Sequence, residues 1–391
     1  MTAGGAGDSV AAVSALDVRT SVAAHDEART EARVDQAGEP RLARLESVRA
    51  LAALGVVTGH IWGTHYHFGL AAYDGFVSRT IFGGGYGVFV FFALSGYLLY
   101  RPLADATLGG TRTVDLRRYA LNRALRILPL YYVVVAVLLV VQEGGGHPGQ
   151  WLRFATLTEN VFRSTAVTVD GPIWSLIVEV HFYALLPFAA FALARLADRS
   201  IARAAVVLLI AGLAGAALRI YLLNHRHVAD PRITYSLVTT SFFFVPGMLL
   251  ALGRVAWDRR GDMQLPGLLG SADAWLLASL PVWALIFDDY SRTPLAAVAS
   301  FFVVGAAALP LRPGPLIRLL DLRALALVGV ASYSLYLWHL PIVDAIARHH
   351  TRALVPLALA GFALSLLAAA ASYRLVEEPF LRLRRNWASS Q

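Results

Sequence analysis

Apolar runs of about twenty residues recur along this chain, and that repetition limits what it can fold into. The runs are expected at roughly 45–65, 79–100, 119–141, 173–195, 202–223, 234–256, 272–288, 294–311, 325–347 and 353–376. In hydrocarbon a segment must satisfy its backbone N–H and C=O groups internally, so runs of this length fold as helices. The sequence predicts an all-α polytopic membrane protein with about ten transmembrane helices. The 272–311 stretch is the weakest part, because both runs are short and Pro281 interrupts the first. Of 391 residues, 57% are hydrophobic and 15% charged, whereas a soluble domain has about a quarter charged. An even count of spans puts both termini on one side. Loops on the N-terminal side hold about twenty arginines and the opposite loops about nine, Arg219 among them, which predicts both termini cytoplasmic by the positive-inside rule.

The formal charge is +8, and arginine supplies all 34 basic residues. In a membrane protein such a balance reads as an orientation signal. A nucleic-acid partner would want a basic face with interleaved aromatics on a soluble fold, and none is visible. Cysteine is absent, so disulfides, thiolate nucleophiles and cysteine zinc sites are excluded. No metal-ligand cluster is read: the histidines at 65, 67, 349 and 350 fall in loops and read as solvated surface. Residues 1–40 carry few large apolar side chains and lack the charged and apolar regions of a signal peptide. They are expected to form a disordered cytoplasmic tail. The membrane domain is expected over 41–386, with a short tail at 387–391.

The first span, LESVRALAALGVVTGHIW, carries Arg49 and His60. Eleven residues at ~100° each is about 1100°, close to whole turns, so both lie on one helix face. They sit about 16 Å apart along the axis. Ionisable residues inside a membrane are costly and face a cavity or a partner.

Four further stretches carry polar groups in apolar surroundings. In FGGGYGVFVFFALSGYLLY, Gly83 and Gly87 read as close helix packing, and Ser95 could touch a ligand. In RRYALNRALRILPLYY, Arg123 and Arg126 share a face. They read either as snorkelling topology signals or as an anion clamp suited to phosphate. In GPIWSLIVEVHFYALLPF, Glu179 shares a face with Ser175 and Tyr183, and Trp174 fits an interfacial belt. In LALVGVASYSLYLWHLPIV, Ser332, Tyr336 and His339 fall on one side. The closing SYRLVEEPF, with Glu377 and Glu378, reads mostly as a helix boundary.

Counting depth along straight helices puts His60, Glu179 and His339 in one layer, about 21 Å into a ~30 Å core. Arg49, Arg123 and Arg126 fall in the layer nearer the cytoplasm. The pattern is an anion-attracting vestibule leading to an acid/base pocket. Proton-coupled transport or glycan/lipid flipping would also suit embedded His and Glu. A non-catalytic scaffold would tolerate neutral replacement of Arg49, His60 and Glu179.

These same stretches carry a resemblance. LESVRALAALGVVTGH, FFALSGYLLY, the RxxR pair, PIWSLIVEVHFYALLP, SYSLYLWHLP and SYRLVEEPF occur in order, over about residues 41–386. In them the chain resembles acyltransferase family 3, integral-membrane O-acyltransferases of bacterial surface glycans and macrolides. The resemblance implies about ten spans in a bacterial cytoplasmic membrane. It implies an acyl-CoA co-substrate, with acetyl-CoA the default, and a hydroxyl-bearing glycan or glycoside acceptor. No permanently bound cofactor and no metal are implied. Many relatives carry a C-terminal extracytoplasmic esterase-like domain, which this chain is expected to lack.

Carried onto this sequence, the resemblance implies His60, Glu179 and Arg49 as catalytic residues. His60 would be the general base, with Glu179 orienting it or balancing Arg49. Arg123 and Arg126 would hold the donor phosphates. His339 would contact the acceptor or stabilise the tetrahedral oxyanion, and Tyr336, Trp174 and Ser95 would contact substrate.

Overall fold

The computed structural model describes residues 43–389 apart from 111–112, 226–229 and 262–263. The tail expected at 1–40 lies outside the described residues, as does the end of the tail expected at 387–391. Among the described residues the chain is helical, with one isolated β-bridge, Ser271 to Arg312.

The first helix, α1, runs over 43–65. It is followed by α2 (Gly75–Phe82), α3 (Gly87–Thr107), α4 (Leu116–Val141), the short α5 (Pro148–Ala155), α6 (Ile173–Leu196) and α7 (Ile201–His225). The second half contains α8 (Val245–Arg260), α9 (Ala272–Asp288), α10 (Ala296–Ala308), α11 (Arg323–Val330), α12 (Ser332–His349), α13 (Leu354–Ser372) and α14 (Glu378–Ser389). Among the described residues, seven helices are long and apolar enough to cross a membrane, or eight if the bent pair α11–α12 counts as one span. The 17-residue α9 and the helix over 43–65 occupy two further predicted positions. The chain is thus a multi-pass membrane protein.

Lipid is the solvent for its outer surface. On α7, Val206, Leu209, Ile210 and Leu213 are exposed. Exposed leucines cost nothing against acyl chains, so the packing between helices has to come from close contact and polar pairing. Glycine provides the contact. A Cβ at Gly247 in α8 would collide with the Ala93 carbonyl oxygen in α3, and one at Gly87 with the Ala52 carbonyl oxygen in α1. Gly87 therefore does what its spacing predicts. Gly83 instead makes room for the Phe287 ring.

One predicted span departs from the expectation of a straight helix. Over 325–347 the chain breaks at Ala331, and α11 meets α12 at 71°. The depth assigned to His339 by counting from residue 325 therefore does not hold. The bend places Ser332 and Tyr333, the first residues of α12, in the wall of a cavity.

Candidate active site

Two cavities meet inside the bundle. The first, about 100 Å³, is lined by Arg49, Arg123, Arg126, Glu179, Ser95 and Tyr183, among others. The second, about 360 Å³, is lined by His60, Trp174 and Tyr235 among others. Val88 and Tyr336 line both. Arg49 and His60 thus face different chambers from one helix face, as their spacing on α1 requires. A third, apolar cavity between α4 and α6 shares Arg123, Ile127 and Tyr183 with the first.

In the first cavity the charges are graded by their partners. The Arg49 Nε lies 3.3 Å from Ser332 Oγ and 3.5 Å from the Glu46 carboxylate. Arg126 pairs with Glu377 at 3.1 Å. Glu377 also accepts from Ser334 Oγ and is buried. Arg123 makes no ion pair among the described residues, and its Nε is buried without an acceptor. The RxxR pair therefore divides. Arg126 is neutralised by the protein, and Arg123 is the cation left for an anion.

Glu179 belongs to this cavity. Its Oε1 accepts from Ser95 Oγ at 2.5 Å, and Ser95 Oγ lies 3.1 Å from the Tyr183 hydroxyl. Glu179 does not touch His60, and this corrects the expectation that it orients that ring. The depth count had assumed a straight, upright α6 and ignored rotation about its axis. Ser95 lines the cavity as expected, but its hydroxyl is held by Glu179.

His60 is partnered instead by His339. The Nδ1 of His339 donates to the Tyr336 carbonyl at 2.7 Å, which leaves its Nε2 as an acceptor. That Nε2 lies 3.0 Å from His60 Nδ1, which also lies 3.0 Å from the Val56 carbonyl. The network assigns the proton of His60 to Nδ1, shared between the two acceptors. His60 Nε2 then carries the lone pair, and the ring lines the second cavity. His339 is fully buried and lines neither cavity. It was expected to contact substrate, but its geometry is that of a group that fixes the tautomer of His60.

Between the chambers, the Tyr336 hydroxyl lies 2.7 Å from Ser175 Oγ and 3.2 Å from the Pro172 carbonyl. Trp174 packs on Tyr235 with ring centroids 4.6 Å apart, in the wall of the second cavity.

Two residues escaped the sequence reading. Glu377 reads in the sequence as a helix boundary, yet it lies in a π-helical turn, Tyr373–Glu377, that carries it inward to Arg126. A single-turn π-bulge of this kind often marks a functional site. Arg219 was counted as a loop charge, yet it sits on α7 with its side chain in the second cavity.

Residues 42–374 match the family model described as an acyltransferase domain. The O-acetyltransferase OatA of Staphylococcus aureus (strain NCTC 8325) is 25% identical over 377 residues, covering 89% of this chain and 58% of that protein. The putative peptidoglycan O-acetyltransferase YrhL of Bacillus subtilis is 29% identical over 328 residues, covering 76% and 48%. The exopolysaccharide production protein ExoZ of Rhizobium meliloti is 27% identical over 319 residues, covering 77% and 91%. The chain spans about half the length of the first two of these relatives. No solved structure matches. With the family model matched over most of its length, the chain belongs to the acyltransferase 3 family.

Proposed function

We propose that this protein is a membrane O-acyltransferase. It moves an acyl group, acetyl in the simplest case, from acyl-CoA to a hydroxyl of a carbohydrate or glycosylated molecule. The observation that carries the reading is the division of labour between the two cavities. Cations and a carboxylate line one, an imidazole with a free lone pair lines the other, and Tyr336 stands in the wall of both. In this reading ten spans cross a bacterial cytoplasmic membrane with both termini inside, as the arginine bias favours. The Arg49 cavity then opens toward the cytoplasm and receives the donor.

Arg123 binds a donor phosphate, since it is the cation without a protein counter-ion. Arg49 helps to hold the donor in the first cavity, one end of α1 away from the reacting hydroxyl at His60. His60 Nε2 removes the proton of the acceptor hydroxyl as that oxygen attacks the thioester carbon. The C–S bond breaks, the ester forms, and the proton passes to the departing thiolate, which leaves as free CoA. The names of the relatives support a glycan acceptor: one is a peptidoglycan O-acetyltransferase and another takes part in exopolysaccharide production.

Transfer of labelled acetyl from acetyl-CoA to a panel of glycosides tests the reading in purified protein. Replacing Arg123 with Ala should raise KM for acetyl-CoA about tenfold or more, the range for a lost hydrogen bond to a charged group. It should leave KM for the acceptor near the parent value. A change in acceptor KM alone would contradict the assignment.

A further inference from the structure

Arg219 is 8% exposed inside the bundle, on a helix that also carries the exposed apolar residues Leu209, Ile210 and Leu213. Its Nη1 donates to the carbonyls of Thr234 and Thr239 at 3.2 and 3.3 Å, and its Cζ lies 5.7 Å from the centroid of the Phe243 ring. No carboxylate lies within ion-pair distance among the described residues, and Nε is buried without an acceptor. A buried guanidinium is expensive unless something balances it. Nη1 is taken by the two carbonyls, so Nη2 is the donor left for a carboxylate or phosphate.

Arg219 lines the same cavity as His60. No Asp or Glu lines that cavity, so Arg219 supplies its one permanent charge among the described residues. The nearest acid in sequence is Asp170, beside Gly171 of the lining. It is buried and outside the cavity wall, and burial with Asp344 nearby holds its carboxyl well above the usual carboxylate range. Trp174, Tyr235 and Tyr86 supply flat apolar faces, and Thr234 and Thr293 supply polar groups. Aromatic walls with a few fixed polar groups suit a sugar ring.

We propose that the second cavity takes an acidic sugar, with a carboxylate or phosphate on the acceptor paired to Arg219. This rests on the reading of the His60 chamber as the acceptor site, and adds to it the chemical class of the acceptor. Arg219 is then the residue that sets specificity, at a distance from the hydroxyl that reacts.

The test uses glucuronate and glucuronamide glycosides, which share every hydroxyl and differ in charge, together with a sugar phosphate. Full-length protein in detergent is assayed for acyl transfer. In parallel, thermal stabilisation by each sugar is measured with no donor present. The expected result is a preference of about tenfold or more for an acidic sugar over the amide, in kcat/KM and in half-saturation of the thermal shift. Preference for the uronate over the phosphate, or the reverse, identifies the acid group. Arg219→Gln should bring the uronate-to-amide ratio to about one, and Arg219→Lys should keep part of it. If the parent protein treats uronate and amide alike, the proposal is wrong. It is equally wrong if Arg219→Gln folds and keeps the preference. Should Arg219→Gln not fold, the parent comparison and Arg219→Lys still decide. Sugar-dependent stabilisation without any transfer would count against the acyltransferase reading while leaving the acid site in place.

Discussion

His339 Nε2 lies 3.0 Å from His60 Nδ1, and this contact joins α12 to α1 at the wall of the second cavity. Because His339 spends its own Nδ1 proton on the Tyr336 carbonyl, it can only accept from His60. The pair therefore fixes which nitrogen of His60 is free to act as a base. Replacing His339 with Ala removes an acceptor and frees the ring to rotate. The variant should lose about 10–100-fold in kcat, less than loss of the base itself, which costs about 10²–10⁴-fold. His339→Gln, whose side-chain oxygen also accepts, should recover part of the loss. Parent-like kcat in His339→Ala would show that the pair does not set the tautomer.

Arg126 and Glu377 form the most enclosed ion pair of the first cavity, with side-chain exposures of 18% and 1%. Removing one member leaves the other charge stranded in a low-dielectric interior, at a cost of about 3–5 kcal/mol. Glu377→Ala should therefore lower the thermal midpoint sharply, and Glu377→Ala with Arg126→Met should recover much of it. A double variant no more stable than the single would mean that the pair is not energetically coupled.

Glu159 offers a pH test outside the spans. It is buried in the loop before α6, where its Oε1 lies 3.1 Å from the Tyr131 hydroxyl, which also donates to the Phe154 carbonyl. Burial pushes its carboxyl up to about 7. The folded protein thus binds this proton more tightly than the unfolded chain, whose carboxyl titrates near 4.3. The resulting stability is fully present below the unfolded value and is lost as pH rises through about 7. Glu159→Gln keeps the shape without the titration. Its thermal midpoint should fall less than that of the parent between pH 5 and 8. Parallel curves for the two proteins would count against a protonated Glu159.

Much of the architecture is legible in the sequence, because hydropathy reports directly on the solvent. Each predicted span position is occupied by helix, continuous or broken. The common face of Arg49 and His60 follows from helix periodicity alone, and both line cavities. Contacts between helices were harder to read. Glu179 was grouped with His60 by depth, whereas rotation of α6 turns it to Ser95. His339 was counted along a helix that bends by 71°. Glu377 looked like a boundary charge because a π-turn leaves no trace in residue type. Arg219 looked like a loop charge because its span was drawn to end just beyond it. Partnership depends on rotation and tilt, which a one-dimensional pattern does not carry.

The central claim is acyl transfer based on His60, and the chain's lack of cysteine makes a direct assay possible. Free thiol released from acetyl-CoA is followed with purified protein and a panel of glycosides, with no thiol background from the protein. Acceptor-dependent release should fall by about 10²–10⁴-fold in His60→Ala, with its thermal midpoint near the parent value. A folded His60→Ala protein that releases thiol at the parent rate would contradict that claim.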